Sequence, residues 1–194
     1  MKKKHFSEKP TPQQLETELK RERYKRQYHL VFRSTVCTVI AVISIVILVT
    51  TLWLPALRIY GNSMMPTLQN GDIIFSAKPS LYEHGDIVAF YYNNKILVKR
   101  VIGTAGDWVN IDRDGTVYVN DIQLEEPYLA EKALGECNIE LPYQVPDGKI
   151  FVMGDSRSNS LDSRTTLVGC VSDEQIIGKI VFRVWPLSGF GTVK

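Results

Sequence analysis

One stretch without charge dominates the first part of the sequence. The 24 residues between Arg33 and Arg58 contain no acidic or basic side chain, and the stretch from Val36 to Leu54 is mostly Val, Ile, Leu and Thr. A helix that rises about 1.5 Å per residue needs about 20 residues to cross a hydrocarbon core of about 30 Å. The stretch also lacks the polar stripe of a buried core helix. It therefore predicts a transmembrane helix.

A cleavable secretory signal is the alternative interpretation of this stretch. Its apolar part is shorter, roughly 7 to 15 residues, and precedes a small-x-small cleavage site. Here the chain leaves the apolar stretch as Leu54-Pro55-Ala56-Leu57, with a bulky residue two positions before the candidate small one. We therefore predict an uncleaved anchor over residues 34–57, between a basic segment of residues 1–33 and a domain of residues 58–194.

The charges are divided unevenly along the chain. Residues 1–33 carry ten Lys or Arg, Lys2, Lys3 and Lys4 among them, against four acidic residues, whereas residues 34–194 carry thirteen against seventeen. Because basic residues that flank a span favour the cytoplasmic side, we expect the N-terminus inside and residues 58–194 across the membrane. The acidic balance of that domain argues against nucleic acid as a partner.

Beyond the predicted anchor, short apolar runs alternate with turn residues such as Asn70-Gly71-Asp72, Gly85-Asp86 and Asp147-Gly148. The composition, 44% hydrophobic and 23% charged residues, is that of a folded chain and excludes extensive disorder. Runs and turns of this kind predict a mainly β domain of antiparallel sheets and hairpins.

The histidines and cysteines limit the chemistry that the domain can perform. Of the three histidines only His84 belongs to it, in a turn beside Gly85, so a Ser-His-Asp triad or a Cys-His pair would depend on that residue alone. Cys137 and Cys170 follow no spacing typical of a zinc site. We therefore expect no metal and no cofactor, and whether the two cysteines form a disulfide stays open.

A lysine is the remaining candidate for a general base, and a predicted hairpin selects one. Asparagine tolerates positive φ, so Asn93-Asn94 predicts a two-residue turn in which Val88 faces Lys99. Strand alternation then places Lys99 on an apolar face of the hairpin. Desolvation there would lower its pKa from about 10.4, which base catalysis at ordinary pH requires. The alternative is a charged surface pair between Lys99 and Asp86.

Two further segments contain candidate site residues. Ser63 lies in the segment Gly61–Leu68, shortly after the predicted anchor, and is a candidate nucleophile. The segment Gly154–Arg164, GDSRSNSLDSR, contains two acids, two arginines and four serines. It is either a polar loop whose charges pair locally or a set of hydrogen-bonding groups that orients a buried lysine.

Together these segments resemble a bacterial type I signal peptidase, the membrane-bound serine protease with a Ser-Lys dyad. Four motifs match in order: SMMPTL from Ser63, GDIVAF from Gly85, KRVIGTAGD from Lys99 and GDSRSNSLDSR from Gly154. The anchor and the tail FRVWPL from Phe182 match as well, so the resemblance covers nearly the whole chain. The short length and single span resemble the Gram-positive type. The resemblance implies an extracytoplasmic catalytic domain in a bacterial cell membrane.

The resemblance also implies roles for individual residues. Ser63 matches the nucleophile, Lys99 its neutral general base, and Ser160 a serine that hydrogen-bonds the lysine nitrogen. Four charged residues match positions that brace the site: Arg100, Asp155, Asp162 and Arg164. Which acid pairs with which arginine stays open. Five residues match the lining of shallow pockets for small side chains one and three residues before the cut: Ile59, Met64, Leu68, Leu97 and Val98.

The implied partners are secretory pre-proteins, cut after small-x-small sites such as Ala-x-Ala, at the lipid bilayer and close to the secretion channel. We expect the substrate to bind as an added β-strand. The backbone N–H of Ser63 would be one oxyanion donor. Two positions before the nucleophile, where some family members have a serine as the second donor, this chain has Gly61. A group at Gly61 or Asn62 would have to substitute.

Other functions fit parts of the same pattern. A peptidase dedicated to one precursor, such as a pilin or a toxin, would carry the same motifs. A catalytically inactive, membrane-tethered binding module would not need Ser63, Lys99 and Ser160 together. The self-cleaving Ser-Lys repressors carry a DNA-binding domain where this chain has a predicted span.

Overall fold

The first part of the chain is one long helix. The structure, a computed structural model, describes residues 12–53 and 55–193, without the side chains of Gln14 and residues 49–53. Helix α1 spans Pro12–Trp53, and within it Leu15–Leu48 is the one described stretch that is long and apolar enough to cross a membrane. The predicted apolar helix is therefore confirmed. Lys2, Lys3 and Lys4, which contribute to the predicted charge asymmetry, lie outside the described residues.

The helix ends before the C-terminal limit predicted for the anchor. Its last residue is Trp53, and strand β1 spans Ala56–Arg58. Ala56 and Leu57, which belong to the predicted anchor, pair instead with Phe75 and Ile74. Apolar composition alone does not reveal such backbone pairing. Pro55, which has no N–H to donate, separates the two elements.

Residues from Thr51 onward form a second unit, which is mainly β. Its remaining strands are β2 Ile73–Ala77, β3 Ile87–Tyr92, β4 Lys95–Gly103, β5 Trp108–Ile111, β6 Val117–Val119, β7 Ile122–Gln123, β8 Tyr143–Gln144, β9 Lys149–Met153, β10 Val171–Ser172, β11 Ile176–Trp185 and β12 Gly191–Thr192. All strand pairs are antiparallel among the described residues. The predicted fold class is confirmed.

The strands form two sheets. The larger has the order β1-β2-β11-β3-β4-β9-β10, with β12 on β11, and the smaller has the order β7-β6-β5-β8. Separate apolar clusters stabilise the unit: one around Met64 and Ile74, one around Phe90 and Val152, and one around Phe151. Burial of these side chains provides the main stabilisation of the strands.

The hairpin β3–β4 has the predicted register. Tyr92 pairs with Lys95 and Val88 with Lys99, and Asn93 in the turn has a φ of 50°. Strand β4 pairs with β3 along most of its length, but with β9 only from Arg100 onward. The first half of β4 therefore presents an unpaired backbone edge beside Lys99.

Candidate active site

The nucleophile and base predicted from separate motifs meet in the structure. Lys99 Nζ lies 2.6 Å from Ser63 Oγ, within hydrogen-bond distance, although 36 positions separate the two residues in sequence. Lys99 is only 2% exposed, and Ser63 is half-buried. The alternative pair of Lys99 with Asp86 is not formed, because Asp86 pairs with Lys179 at 2.6 Å.

The environment of Lys99 favours its neutral form. Burial lowers the pKa of the amine from its ordinary value of 10.5 to about 8. Arg164 acts in the same direction, whereas the carboxylates of Asp162 and Asp155 act against it. At a pH near 8, a large fraction of Lys99 can thus accept a proton from a hydroxyl at hydrogen-bond distance.

The structure resolves the pairing of the four bracing residues. Arg100 donates two hydrogen bonds to Asp155, at 2.9 and 2.8 Å. Arg164 likewise donates from Nε and Nη2 to Asp162, both at 2.8 Å. All four side chains are at most 2% exposed. Two forked pairs of this kind fix the planes of both carboxylates.

The segment Gly154–Arg164 contacts the backbone of Ser63. The Ser156 N–H donates to the Ser63 carbonyl at 3.0 Å, and the Gly154 N–H donates to Asp162 at 3.0 Å. Burial raises the pKa of Asp162, but hydrogen bonds and charge from Arg164, with further hydrogen bonds from Ser160 and Gly154, bring it below its ordinary value. Asp162 is therefore a carboxylate at neutral pH.

Ser160 does not make the contact expected of it. Its hydroxyl is buried, and among the described residues it has no hydrogen-bond partner of ordinary geometry. The expected hydrogen bond to Lys99 is therefore not formed, whereas the Ser160 hydroxyl is close enough to Asp162 to lower the pKa of that carboxyl. Ser160 Oγ and the Ser63 carbonyl both lie close to Gly154, since a Cβ added there would overlap the first and lie 2.6 Å from the second.

Four residues that were not predicted as site residues also contact this part of the structure. Arg157 forms a buried pair with Glu126, which lies 31 positions earlier in the chain. The ring of Tyr128 lies 3.8 Å from the guanidinium carbon of Arg100. Arg183, in the tail motif FRVWPL, donates to the Thr67 carbonyl at 3.0 Å. Arg157 and Arg183 lie in the motifs GDSRSNSLDSR and FRVWPL, so the sequence could have flagged them, whereas Glu126 and Tyr128 lie in neither.

Ser63 is one of the residues that line a groove of about 760 Å³. One wall is the segment from Ala56 to Met64, and the other is the first half of β4, from Asn94 to Val98. Four of the five residues predicted to line substrate pockets are in these walls: Ile59, Met64, Leu97 and Val98. Leu68, the fifth, is fully buried in the core cluster with Met64 and is not a lining residue of the groove.

The backbone around the nucleophile limits the choice of oxyanion donors. Among the described residues, the Ser63 N–H has no hydrogen-bond partner. The Gly61 N–H already donates to the Asn70 side chain at 3.2 Å. Gly61 has a φ of +94°, a conformation that favours glycine.

The sequence of this chain is similar to those of known proteins. Residues 31–185 match the model of a family described as signal peptidase, peptidase S26. The chain belongs to this signal peptidase family. Membership makes it a serine endopeptidase, and the N-terminal apolar helix together with bacterial relatives indicates a membrane-anchored protein.

Individual members of the signal peptidase family are similar to a half to two thirds of this chain. The chain is 42% identical over 147 residues to signal peptidase I of Bacillus caldolyticus. That match covers 67% of this chain and 79% of the Bacillus protein. It is 38% identical over 145 residues to the chloroplastic thylakoidal processing peptidase 1 of Arabidopsis thaliana. That match covers 66% of this chain but 41% of the plant protein. A crystal structure of a signal peptidase I from Enterococcus faecalis V583 is 31% identical, with a TM-score of 0.45, and covers 52% of this chain and 97% of that one.

Proposed function

We propose that this chain removes N-terminal signal peptides from secreted pre-proteins, with Ser63 as nucleophile and Lys99 as general base. The observation that carries the proposal is the 2.6 Å distance between Lys99 Nζ and the Oγ of Ser63, which lines the groove. Membership of the signal peptidase family supplies the substrate class.

The first step is attack on the substrate. Neutral Lys99 accepts the proton of the Ser63 hydroxyl as Oγ bonds to the carbonyl carbon of the peptide. The resulting ammonium then gives its proton to the departing amine, and the C–N bond breaks. The signal peptide stays bound to Ser63 Oγ as an ester, and the mature protein leaves.

The second step restores the enzyme. Lys99 is neutral again and accepts a proton from a water molecule, while the oxygen of that water attacks the ester carbon. The ester bond breaks, the proton returns to Ser63 Oγ, and the signal peptide leaves with a new carboxyl group. The two forked ion pairs, Arg100 with Asp155 and Arg164 with Asp162, keep the loop beside Lys99 in place during both steps.

The oxyanion that forms in each step needs hydrogen-bond donors. The Ser63 N–H is one, since it has no competing partner among the described residues. Of the two positions considered for the second donor, Gly61 already donates to Asn70. Asn62, which is exposed and adjacent to the nucleophile, is the one that remains.

The groove suits a substrate in extended conformation. Strand β1 pairs with β2 on one side only, and Lys95–Val98 pair with β3 on one side only, among the described residues. Their free edges are in the two walls of the groove, so a third strand between them can hydrogen-bond to either. We infer that Ile59, Met64, Leu97 and Val98, which line the groove, form the pockets for the small residues one and three positions before the cut.

The location of the enzyme follows from the anchor and its flanking charges. We place the protein in a bacterial cell membrane with one span, the basic N-terminus in the cytoplasm and residues 58–194 outside, near the secretion channel. Ten basic residues before the span support this orientation. A substrate whose apolar leader remains in the same bilayer then reaches the groove without diffusing through solution.

The function is tested by incubating the detergent-solubilised protein with a secretory precursor and measuring the mass of the product. We expect a new N-terminus directly after a small-x-small site. Ser63→Ala and Lys99→Ala should each lower the rate about 10⁴-fold or more, since each removes one member of a dyad that acts as a unit.

Matched controls separate catalysis from folding. Ser158→Ala and Lys78→Ala change the same residue types at exposed positions outside the groove and should keep full activity. Persistent cleavage by both dyad variants would rule out the dyad. A product that begins elsewhere than after a small-x-small site would rule out the proposed specificity.

A further inference from the structure

Two cations line the groove at a distance from the dyad. Arg58 in β1 and Lys95 in β4 stand in opposite walls, and both are exposed. Neither forms a salt bridge with a described carboxylate. No Asp or Glu is among the described residues that line the groove. This part of the groove is therefore positively charged, and no carboxylate of the described residues compensates it.

The position of these cations relative to a bound substrate follows from strand geometry. Lys95 precedes Lys99 by four residues on β4, and a strand rises about 3.3 Å per residue, so the two lysines are about 13 Å apart along the strand. Arg58 precedes Ser63 by five residues in the other wall. The residues matched to the pockets for small side chains, Leu97 and Val98, lie between Lys95 and Lys99. A substrate strand whose small residues occupy those pockets thus brings its fourth or fifth residue before the cut next to Arg58 and Lys95.

We propose that Arg58 and Lys95 form a cationic subsite for an acidic side chain, Asp or Glu, four or five residues before the cleaved bond. The inference rests on the proposed function and adds to it a second element of specificity besides the small residues. An acidic side chain there completes an ion pair that the enzyme lacks, whereas a Lys or Arg side chain would meet two like charges. Because the subsite is remote from the reacting bond, it acts on kcat/KM chiefly through binding.

A lipid phosphate could meet the same two side chains, and the experiment excludes it by using an uncharged detergent. The full-length protein is assayed with precursors that carry Asp, Asn or Lys at each of the fourth and fifth positions before the cut. The wild-type protein should cleave the Asp precursor roughly three- to tenfold faster than the Lys precursor, in kcat/KM, as expected for an exposed ion pair. The ratio of the kcat/KM values for the Asp and Lys precursors should fall toward one as the salt concentration rises, because salt screens the charges.

Charge reversal of the enzyme tests the assignment to these residues. Arg58→Glu and Lys95→Glu should each reduce the preference, and the double variant should prefer the Lys precursor. Lys78→Glu, an exposed charge reversal outside the groove, should leave the wild-type ratio unchanged.

Three results would overturn the subsite. Equal kcat/KM for the Asp and Lys precursors in the wild type, with normal cleavage after small-x-small sites, would remove the subsite and leave the proposed function intact. An equal effect of Lys78→Glu would assign the preference to net charge rather than to the groove. Absence of cleavage of every precursor would refute the proposed function and the subsite with it.

Discussion

At the scale of single residues, the account depends on how a lysine is kept neutral. The amine of Lys99 is 2% exposed, and burial lowers its pKa to about 8 although Asp162 and Asp155 lie close enough to oppose the shift. Those carboxylates are already engaged by Arg164 and Arg100. Arg164 thus has a second effect besides its pairing with Asp162: it lowers the pKa of Lys99 and so opposes the effect of the two carboxylates.

A buried lysine that must deprotonate also lowers the free energy of unfolding. We therefore expect a variant without this amine to be more stable but inactive. Below pH 8 the folded state holds a charged, desolvated amine, and a shift from 10.5 to about 8 corresponds to roughly 3 kcal/mol. Lys99→Met, which replaces the apolar part of the side chain and removes the amine, should abolish cleavage and raise the free energy of unfolding by about 1 to 3 kcal/mol at pH 7. Urea unfolding of the full-length protein measures this.

The pH dependence of that gain has a defined sign. The folded pKa lies below the unfolded value, so the unfolded state binds more protons between pH 8 and 10.5 and the wild type gains stability as pH rises through that window. The difference in the free energy of unfolding between Lys99→Met and the wild type should therefore become smaller as the pH rises from 8 to 10.5. A variant that is less stable than the wild type at pH 7 would contradict the desolvation argument.

At the scale of elements, local patterns were predictive where neighbours in sequence are neighbours in space. The register of the hairpin β3–β4 follows from Asn93-Asn94 because the turn sets the pairing of the residues next to it. The ranges of β3, β5 and β9 likewise follow from apolar runs between turn residues. Two-residue strands such as β7 and β10 have too few side chains to show a period.

Contacts between distant segments were not predictable in the same way. The partner of Arg157 is Glu126, in a stretch without regular strands, and no periodicity connects them. The two oxyanion candidates at Gly61 and Asn62 were equivalent in sequence, and only the contact of the Gly61 N–H with Asn70 distinguishes them. Lys99 could be singled out from the register of the hairpin, whereas the roles expected of Ser63 and of the charged residues came from the family motifs.

The close packing of the loop against the nucleophile gives a prediction at this scale. A Cβ at Gly154 would overlap Ser160 Oγ and lie 2.6 Å from the Ser63 carbonyl oxygen. Gly154→Ala should therefore displace the nucleophile and lower kcat about 100-fold, since a shift of about 1 Å has such an effect on positioned groups. It should also destabilise the fold by about 1 to 3 kcal/mol through overpacking.

The control for Gly154→Ala is Ser158→Ala, an exposed position in the same loop. Cleavage rates and urea unfolding are compared for both variants. Wild-type rates for Gly154→Ala would show that the loop does not position Ser63.

At the scale of the whole molecule, the division of charge along the chain determines the expected orientation. Ten basic residues precede the apolar stretch, whereas the rest of the chain has more acidic than basic residues. A protease added to intact cells should digest residues 58–194 and leave a tag at the N-terminus protected. Digestion of residues 58–194 only after lysis would mean that the orientation is reversed, and with it the location proposed for the substrate.

The proposed activation of Ser63 by the neutral amine of Lys99 is tested by the pH dependence of kcat/KM. For the solubilised full-length protein and one precursor, kcat/KM should rise about tenfold per pH unit below pH 8 and level off above it, because the base must lose its proton before it can act. A profile that is flat between about pH 6 and 10, or that falls as pH rises through 8, would contradict the account.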